Sequence, residues 1–221
     1  MTQQQTIQSD ATPTESFSAW IQANTRVVGI GIAIIVVGGA GYWFYLRSAE
    51  LKRTNAERAL NQAKQSLAAG NAALAESDLL KAATRYKGTP GGARAAMLLA
   101  QLEFEAGKIP DGLKALEPYQ TGSAAGPNLP AIWGMIGDGQ MAQGKAADAA
   151  ASYEKAADAT AYPGEKAMYL AKAARAYMAG GNDARAKTLW EKLATDPAAL
   201  PVRNEAEVRL GELTVRPAGK S

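Results

Sequence analysis

The sequence has no cysteine and no histidine. The first absence excludes disulfides and thiolate metal sites. The second removes the commonest general acid–base group near neutral pH and the commonest zinc ligand. Aromatic residues are sparse and β-branched residues are uncommon outside one early stretch, which favours helix over sheet. Nor is there a charge bias to speak of. Lysine and arginine number 24 against 21 acids and are interspersed, so nucleic-acid binding has no support. What the 221 residues do allow is one ordinary domain plus an appendage.

The appendage comes first. Between Arg26 and Arg47 lie 20 uncharged residues, Val27 to Leu46. As a helix rising about 1.5 Å per residue they span roughly 30 Å, the thickness of a bilayer core. Ten of them are Val, Ile, Leu or Phe, each favourable by roughly 0.3–0.6 kcal/mol at the centre of an inserted helix. Tyr42, Trp43 and Tyr45 gather at the far end and Trp20 precedes the near one, as amphipathic rings do at headgroup depth. The run is too long for a signal peptide and no small-residue cleavage site precedes the aromatics, so an uncleaved anchor over 26–47 is expected, after a polar tail over 1–25. Gly29 and Ala33 have the small-xxx-small spacing of some helix–helix faces, although glycine is common in membrane helices generally. Arg47, Lys52, Arg53, Arg58 and Lys64 follow the segment while only Arg26 precedes it. A positive-inside count therefore puts the large domain in the cytoplasm, but that rule weakens for long translocated domains, and sidedness stays open on charge alone.

The rest of the chain repeats itself. Gly70, Gly107, Gly144 and Gly181 are each 37 residues apart. Five residues after each comes a small residue (Ala75, Gly112, Ala149, Ala186), and four further on a large apolar one (Leu79, Leu116, Tyr153, Trp190). Seven residues before each glycine stands another small one: Ala63, Ala100, Gly137 and Ala174, with Gly211 next in the series. This predicts stacked helical hairpins over 48–215, with a glycine of positive φ ending the first helix of each and a turn of Pro and Gly between hairpins. Thr89-Pro90-Gly91-Gly92, Gly126-Pro127-Asn128-Leu129-Pro130, Tyr162-Pro163-Gly164 and Asp196-Pro197 are those turns. Without Gly or Pro from Tyr42 to Ala69, the anchor is expected to run on into the first repeat helix. Arg203 to Leu213 reads as a capping helix whose Glu205, Glu207, Arg209 and Glu212 solvate the open end of the stack, and 216–221 as a flexible terminus.

The pattern resembles the tetratricopeptide repeat, whose signature the third unit meets best with Trp133, Ile136, Gly137, Ala149, Tyr153 and Ala156. The fourth unit keeps Ala174, Tyr177, Ala186 and Trp190; the first two are degenerate, and the period exceeds the usual one, so longer turns between repeats are expected. The fold class is thus all-α, a single transmembrane helix followed by a helical-hairpin solenoid with a C-terminal cap.

The order of parts (polar tail, Trp20-x-x-x-Asn24, glycine-rich anchor ending in aromatics, four repeats and a cap) is similar to the YfgM family of Gram-negative inner-membrane proteins. That resemblance implies a cytoplasmic tail, a periplasmic repeat domain, and partnership with the Sec translocon and a membrane-anchored periplasmic prolyl isomerase in helping unfolded exported proteins to fold or reach other chaperones. The alternatives are a scaffold for another envelope complex and a cytoplasm-facing membrane adaptor.

No constellation of catalytic, cofactor or metal-binding residues stands out. Gly139 to Ala146 comes within one residue of a phosphate-binding loop, but Ala146 lacks the required hydroxyl and no strand precedes it. Ser152 and Lys155 have Ser-x-x-Lys spacing without a second motif, and Glu103 and Glu105 read as ordinary helix surface. A protein-binding function turns attention to the first helices of the hairpins, which line the concave side in tetratricopeptide arrays. Met97, Gln101 and Phe104 share a stripe there; Gly134, Asp138 and Met141 follow in the third unit, and Met168, Ala171, Arg175 and Met178 in the fourth. Methionine is flexible and polarisable, suited to repacking around dissimilar apolar ligands, so Met97, Gln101, Phe104, Met141, Met168, Arg175 and Met178 are the expected client groove. With only Lys64, Gln101 and Arg175 among apolar neighbours, a carboxylate clamp is not expected.

Overall fold

The computed structural model describes residues 20–215. Among them every regular element is helical, and the chain divides into two compact units between Leu51 and Lys52. That boundary falls within helix α1, Thr25–Ala68, which is unbroken over its 44 residues. At its start the Asn24 amide Nδ2 donates to the Trp20 carbonyl at 2.9 Å, which accounts for the spacing of that pair. The first unit contributes the apolar part of α1, and none of its most apolar window is buried by the protein. Val27, Ile30, Ile34, Ile35, Val37 and Phe44 are all exposed. By length and composition it is the one helix among the described residues able to cross a membrane.

The second unit holds the hairpins. Leu60 and Ala63 near the end of α1 share a hydrophobic cluster with Leu79, Ala82 and Ala83 of α2 (Ala72–Arg85), while α3 (Pro90–Glu105) pairs with α4 (Ile109–Leu116), α5 (Leu129–Ala142) with α6 (Ala146–Ala159), and α7 (Pro163–Ala179) with α8 (Asp183–Thr195). Helix α9, Leu200–Val215, closes the series against α7 and α8.

Each predicted repeat position has a physical role. Gly70, Gly107, Gly144 and Gly181 have φ of 77, 74, 74 and 76°, which only glycine adopts at little cost. The amide of each donates three residues back, and the next amide donates five residues back (Asn71 to Ser66, Lys108 to Glu103, Lys145 to Gln140, Asn182 to Tyr177), which satisfies the orphan carbonyls of the helix end. The following helix then starts at once, capped in α2 and α8 by Asn71 and Asn182 accepting from Leu74 and Arg185 amides. The small positions Ala63, Ala75, Ala100, Ala149, Ala174 and Ala186 have no exposed surface, and neither do Leu79, Leu116 and Trp190. A methyl on Gly137 would lie 2.6 Å from Tyr153 Cε1, so the small residue is what lets that ring seat between α5 and α6.

Three expectations are corrected. Pro90, Pro130 and Pro163 lie not in the turns but in the first turn of α3, α5 and α7, where the missing N–H has no intrahelical partner to lose. The cap helix starts before Arg203, and Glu205 faces inward to Arg175 rather than solvating the open end. Glu103 is not surface but 7 % exposed, because it stands beside the Gly107 turn, beneath Lys108. The longer inter-repeat turn is concentrated in one place. Helix α4 stops after eight residues at Glu117-Pro118, and short turns of helix carry the chain over 117–128 to α5. Tyr119 pins this segment down, fully buried with its hydroxyl donating to the Ala83 carbonyl at 2.5 Å.

Candidate protein-binding face

The first helices α3, α5, α7 and α9, with the end of α1, form one side of the stack, and ion pairs bridge α1 to α3, α5 to α7 and α7 to α9. Arg94 pairs with Glu57, one period earlier in the chain. Lys172 Nζ on α7 reaches Asp138 on α5 at 2.8 and 3.0 Å, and Asp138 also accepts from the Tyr153 hydroxyl at 2.6 Å. Burial, and then this hydrogen bond to Asp138, push the Tyr153 hydroxyl far above its usual pKa, so it is a fixed donor. Arg175 holds Glu205 of α9 through two parallel bonds, one of them Nε to Oε1 at 2.6 Å. The guanidinium, chiefly through its hydrogen bonds, keeps the Glu205 carboxyl below the usual carboxylate range.

The expected groove residues sort into two kinds. Met168 is 55 % exposed, and Gln101 and Arg175 are exposed too. Gln101 donates to Glu105 at 3.0 Å and Arg175 is committed to Glu205. Met97, Phe104, Met141 and Met178 are half-buried, each against a core cluster. The Phe104 ring wedges against Gly112 and Gly139, where added methyls would come within 2.5 and 2.9 Å of it. Met178 Sδ accepts the Trp190 indole N–H at 3.3 Å. Of their companions, Ala171 is fully buried and Gly134 lies under the Tyr169 ring.

Sequence reasoning missed Leu98 and Met135, half-buried on α3 and α5. The signal was available, since adding the period of 37 to each leads from Leu98 to Met135 and on to Lys172, which reaches across to the preceding first helix. Met97, Leu98 and Met135 thus form an apolar stretch between the Glu57–Arg94 and Asp138–Lys172 pairs. With these cations paired, the face suits an apolar segment rather than a carboxylate. Among the described residues no group of acidic side chains is arranged to hold a metal ion. Ser152, weighed above for Ser-x-x-Lys spacing, is buried and donates to Gln140 at 2.7 Å.

A family model described as tetratricopeptide repeat-like domain matches residues 18–128. No curated protein sequence matches the chain. Two solved structures share the fold, both of nearly identical TPR-like repeats from Podosopora anserina named for kinesin light chain. One, a point variant of the other, has TM-score 0.53 at 18% identity, and the second 0.52 at 17%; each alignment covers 73% of this chain and 94% of the solved one. Folds of this type are generally non-catalytic scaffolds that bind other proteins. With the repeat glycines, the small and large registers and the family match in agreement, the chain belongs to the tetratricopeptide repeat-like family.

Proposed function

We propose that this is a membrane-anchored protein-binding repeat protein of the YfgM type. In this reading it is an ancillary subunit of the bacterial Sec translocon, with α1 in the inner membrane and the repeats in the periplasm. It holds exported chains while they fold or pass to other chaperones, beside a membrane-anchored prolyl isomerase. The observation that carries the reading is that one chain joins an apolar helix with nothing covering its apolar window to interaction repeats. The client groove of this proposal is the face bearing Met97, Gln101, Phe104, Met141, Met168, Arg175 and Met178, extended by Leu98 and Met135. Mild crosslinking in native membranes should recover translocon subunits and the isomerase. Recovery of cytochrome-maturation or cell-wall machinery in their place would support the envelope-scaffold reading instead.

The basic residues after the anchor favour a second reading, a cytoplasm-facing adaptor. Sidedness decides between them. A Ser221→Cys variant has a single thiol, since the chain has no other cysteine. A membrane-impermeant thiol reagent should label it once the outer membrane is permeabilised. Labelling that requires breaching the inner membrane supports the adaptor.

A further inference from the structure

On the opposite side of the stack, the second helices α2 and α4 wall a groove of about 540 Å³ floored by α3. The repeat register explains why it is open here. In the last two hairpins the corresponding place is closed by Glu154 of α6 and Arg185 of α8, paired at 3.3 Å, with the Tyr177 hydroxyl 3.1 Å from Glu154. Two periods earlier those three positions hold Leu80, Asp111 and Glu103. Leu80 and Asp111 cannot bridge the walls, and Glu103 is shorter than the ring it replaces. Leu80 is left 55 % exposed.

The walls run parallel. Glu76 near the start of α2 is 3.6 Å from Lys108 at the start of α4, while Ala83 near the end of α2 meets Tyr119 just after α4. This orders the charges along the groove. Glu76, Glu103 and Asp111, with Lys108 among them, come first along the walls, three acids against one base. Lys114 follows Asp111 by one turn of α4 and Lys87 lies just beyond the end of α2, and among the described residues neither is ion-paired. Beside these charges lies an apolar stretch that includes Leu80, Ala83, Leu99, Ala115 and Pro118. Glu103 is nine-tenths buried, and its Oε2 contacts Lys108 at 3.2 Å without a well-aligned hydrogen bond, so its charge is only partly compensated beside the groove. From Glu76 to Arg85, the last residue of α2, the rise is about 13 Å, or roughly four residues of extended chain, with Lys87 just beyond.

We propose that this groove docks a short dipolar peptide segment of a partner protein, with a basic residue at the Glu76–Glu103–Asp111 end, apolar residues against Leu80 and Leu99, and an acidic residue between Lys87 and Lys114. The charge separation selects the occupant, because a uniformly charged segment would meet like charge at one end. The site is separate from the first-helix face and does not rest on the translocon reading.

The test uses the full chain in nonionic detergent and fluorescein-labelled hexapeptides read by anisotropy. A peptide with arginine at one end, three leucines, and two aspartates at the other should bind at least tenfold tighter than one of the same composition with its charges gathered in the centre. Lys87→Glu with Lys114→Glu, both at exposed positions, should weaken the dipolar peptide at least tenfold and strengthen a peptide with arginine at both ends. Met168→Ser, on the other face, should change neither. Equal binding of the two peptides, indifference to the double substitution, or loss of binding in Met168→Ser would each overturn the proposal.

Discussion

Two glycine-to-alanine substitutions isolate the backbone argument on which the repeat assignment rests. Gly144 ends α5 with φ of 74°, whereas Gly211 lies inside α9 and is not among the positive-φ residues. At both positions an added methyl meets nothing within 4 Å, so packing is removed from the comparison. Alanine at Gly144 must adopt the left-handed region, a loss of about 1–2 kcal/mol. Alanine at Gly211 restores helix propensity and narrows the unfolded ensemble, a gain of roughly 0.5–1 kcal/mol. The two variants should therefore differ by roughly 1.5–3 kcal/mol, with opposite signs about the parent. Urea unfolding of the full chain in nonionic detergent, followed by far-ultraviolet circular dichroism, measures this as midpoint shifts in opposite directions at unchanged slope. Shifts of the same sign, or a neutral Gly144→Ala, would refute the claim that the 37-residue glycines are there for their φ.

Trp190 has no exposed surface and gives its N–H to Met178, so Trp190→Ala should cost roughly 3–5 kcal/mol in the same assay, and a loss below about 1 kcal/mol would show the repeat register to be wrong. Met178→Ser should destabilise by about 1–3 kcal/mol, whereas Met168→Ser should leave stability alone and weaken capture of an unfolded reporter; lost stability with unchanged capture in the latter would mark the stripe as core. Burial raises the Tyr119 hydroxyl to about 12 from the usual 10.0. Its contribution to stability is therefore complete below pH 10 and is lost as pH rises toward about 12, and Tyr119→Phe should flatten that part of the pH–stability profile. The Arg175–Glu205 pair lowers the Glu205 carboxyl, so its contribution is present above the usual value of 4.5 and disappears below it. Lower protection factors for the α9 amides on acidification, a change abolished by Arg175→Ala, are the expected readout.

Much of this architecture was legible because its residues have few other reasons to recur. A glycine of positive φ cannot be exchanged for alanine without strain, and a position where two helices touch tolerates only a small side chain, so both leave a periodic trace. The short α4 was harder to read. Pro118, Gly122 and Gly126 mark its end, but the 37-residue spacing from Gly107 to Gly144 continues through it as if nothing had changed. Glu103 looked like surface because helical spacing says which residues share a face, not which face a neighbouring helix covers. The ion pairs joining α5 to α7 and α7 to α9 span 30 to 34 residues, and no local pattern announces them. Of the groove, the methionine positions were visible in sequence, whereas their division into exposed Met168 and half-buried Met97, Met141 and Met178 depends on how deeply each rung sits.

That spacing is indifferent to how much helix each unit contains. Helix α4 has eight residues where α6 has 14 and α8 has 13, yet Gly107 and Gly144 remain as far apart as Gly144 and Gly181. Within the glycine-to-glycine frame, residues given up by the helix were returned as 3-10 and single-turn structure over 117–128. The four units therefore differ in residue identity and helix length within one frame, without a net insertion or deletion between their glycines. In the second unit that frame holds a looped rim where the others hold helix, and the groove between α2 and α4 is open where the place between α6 and α8 is sealed.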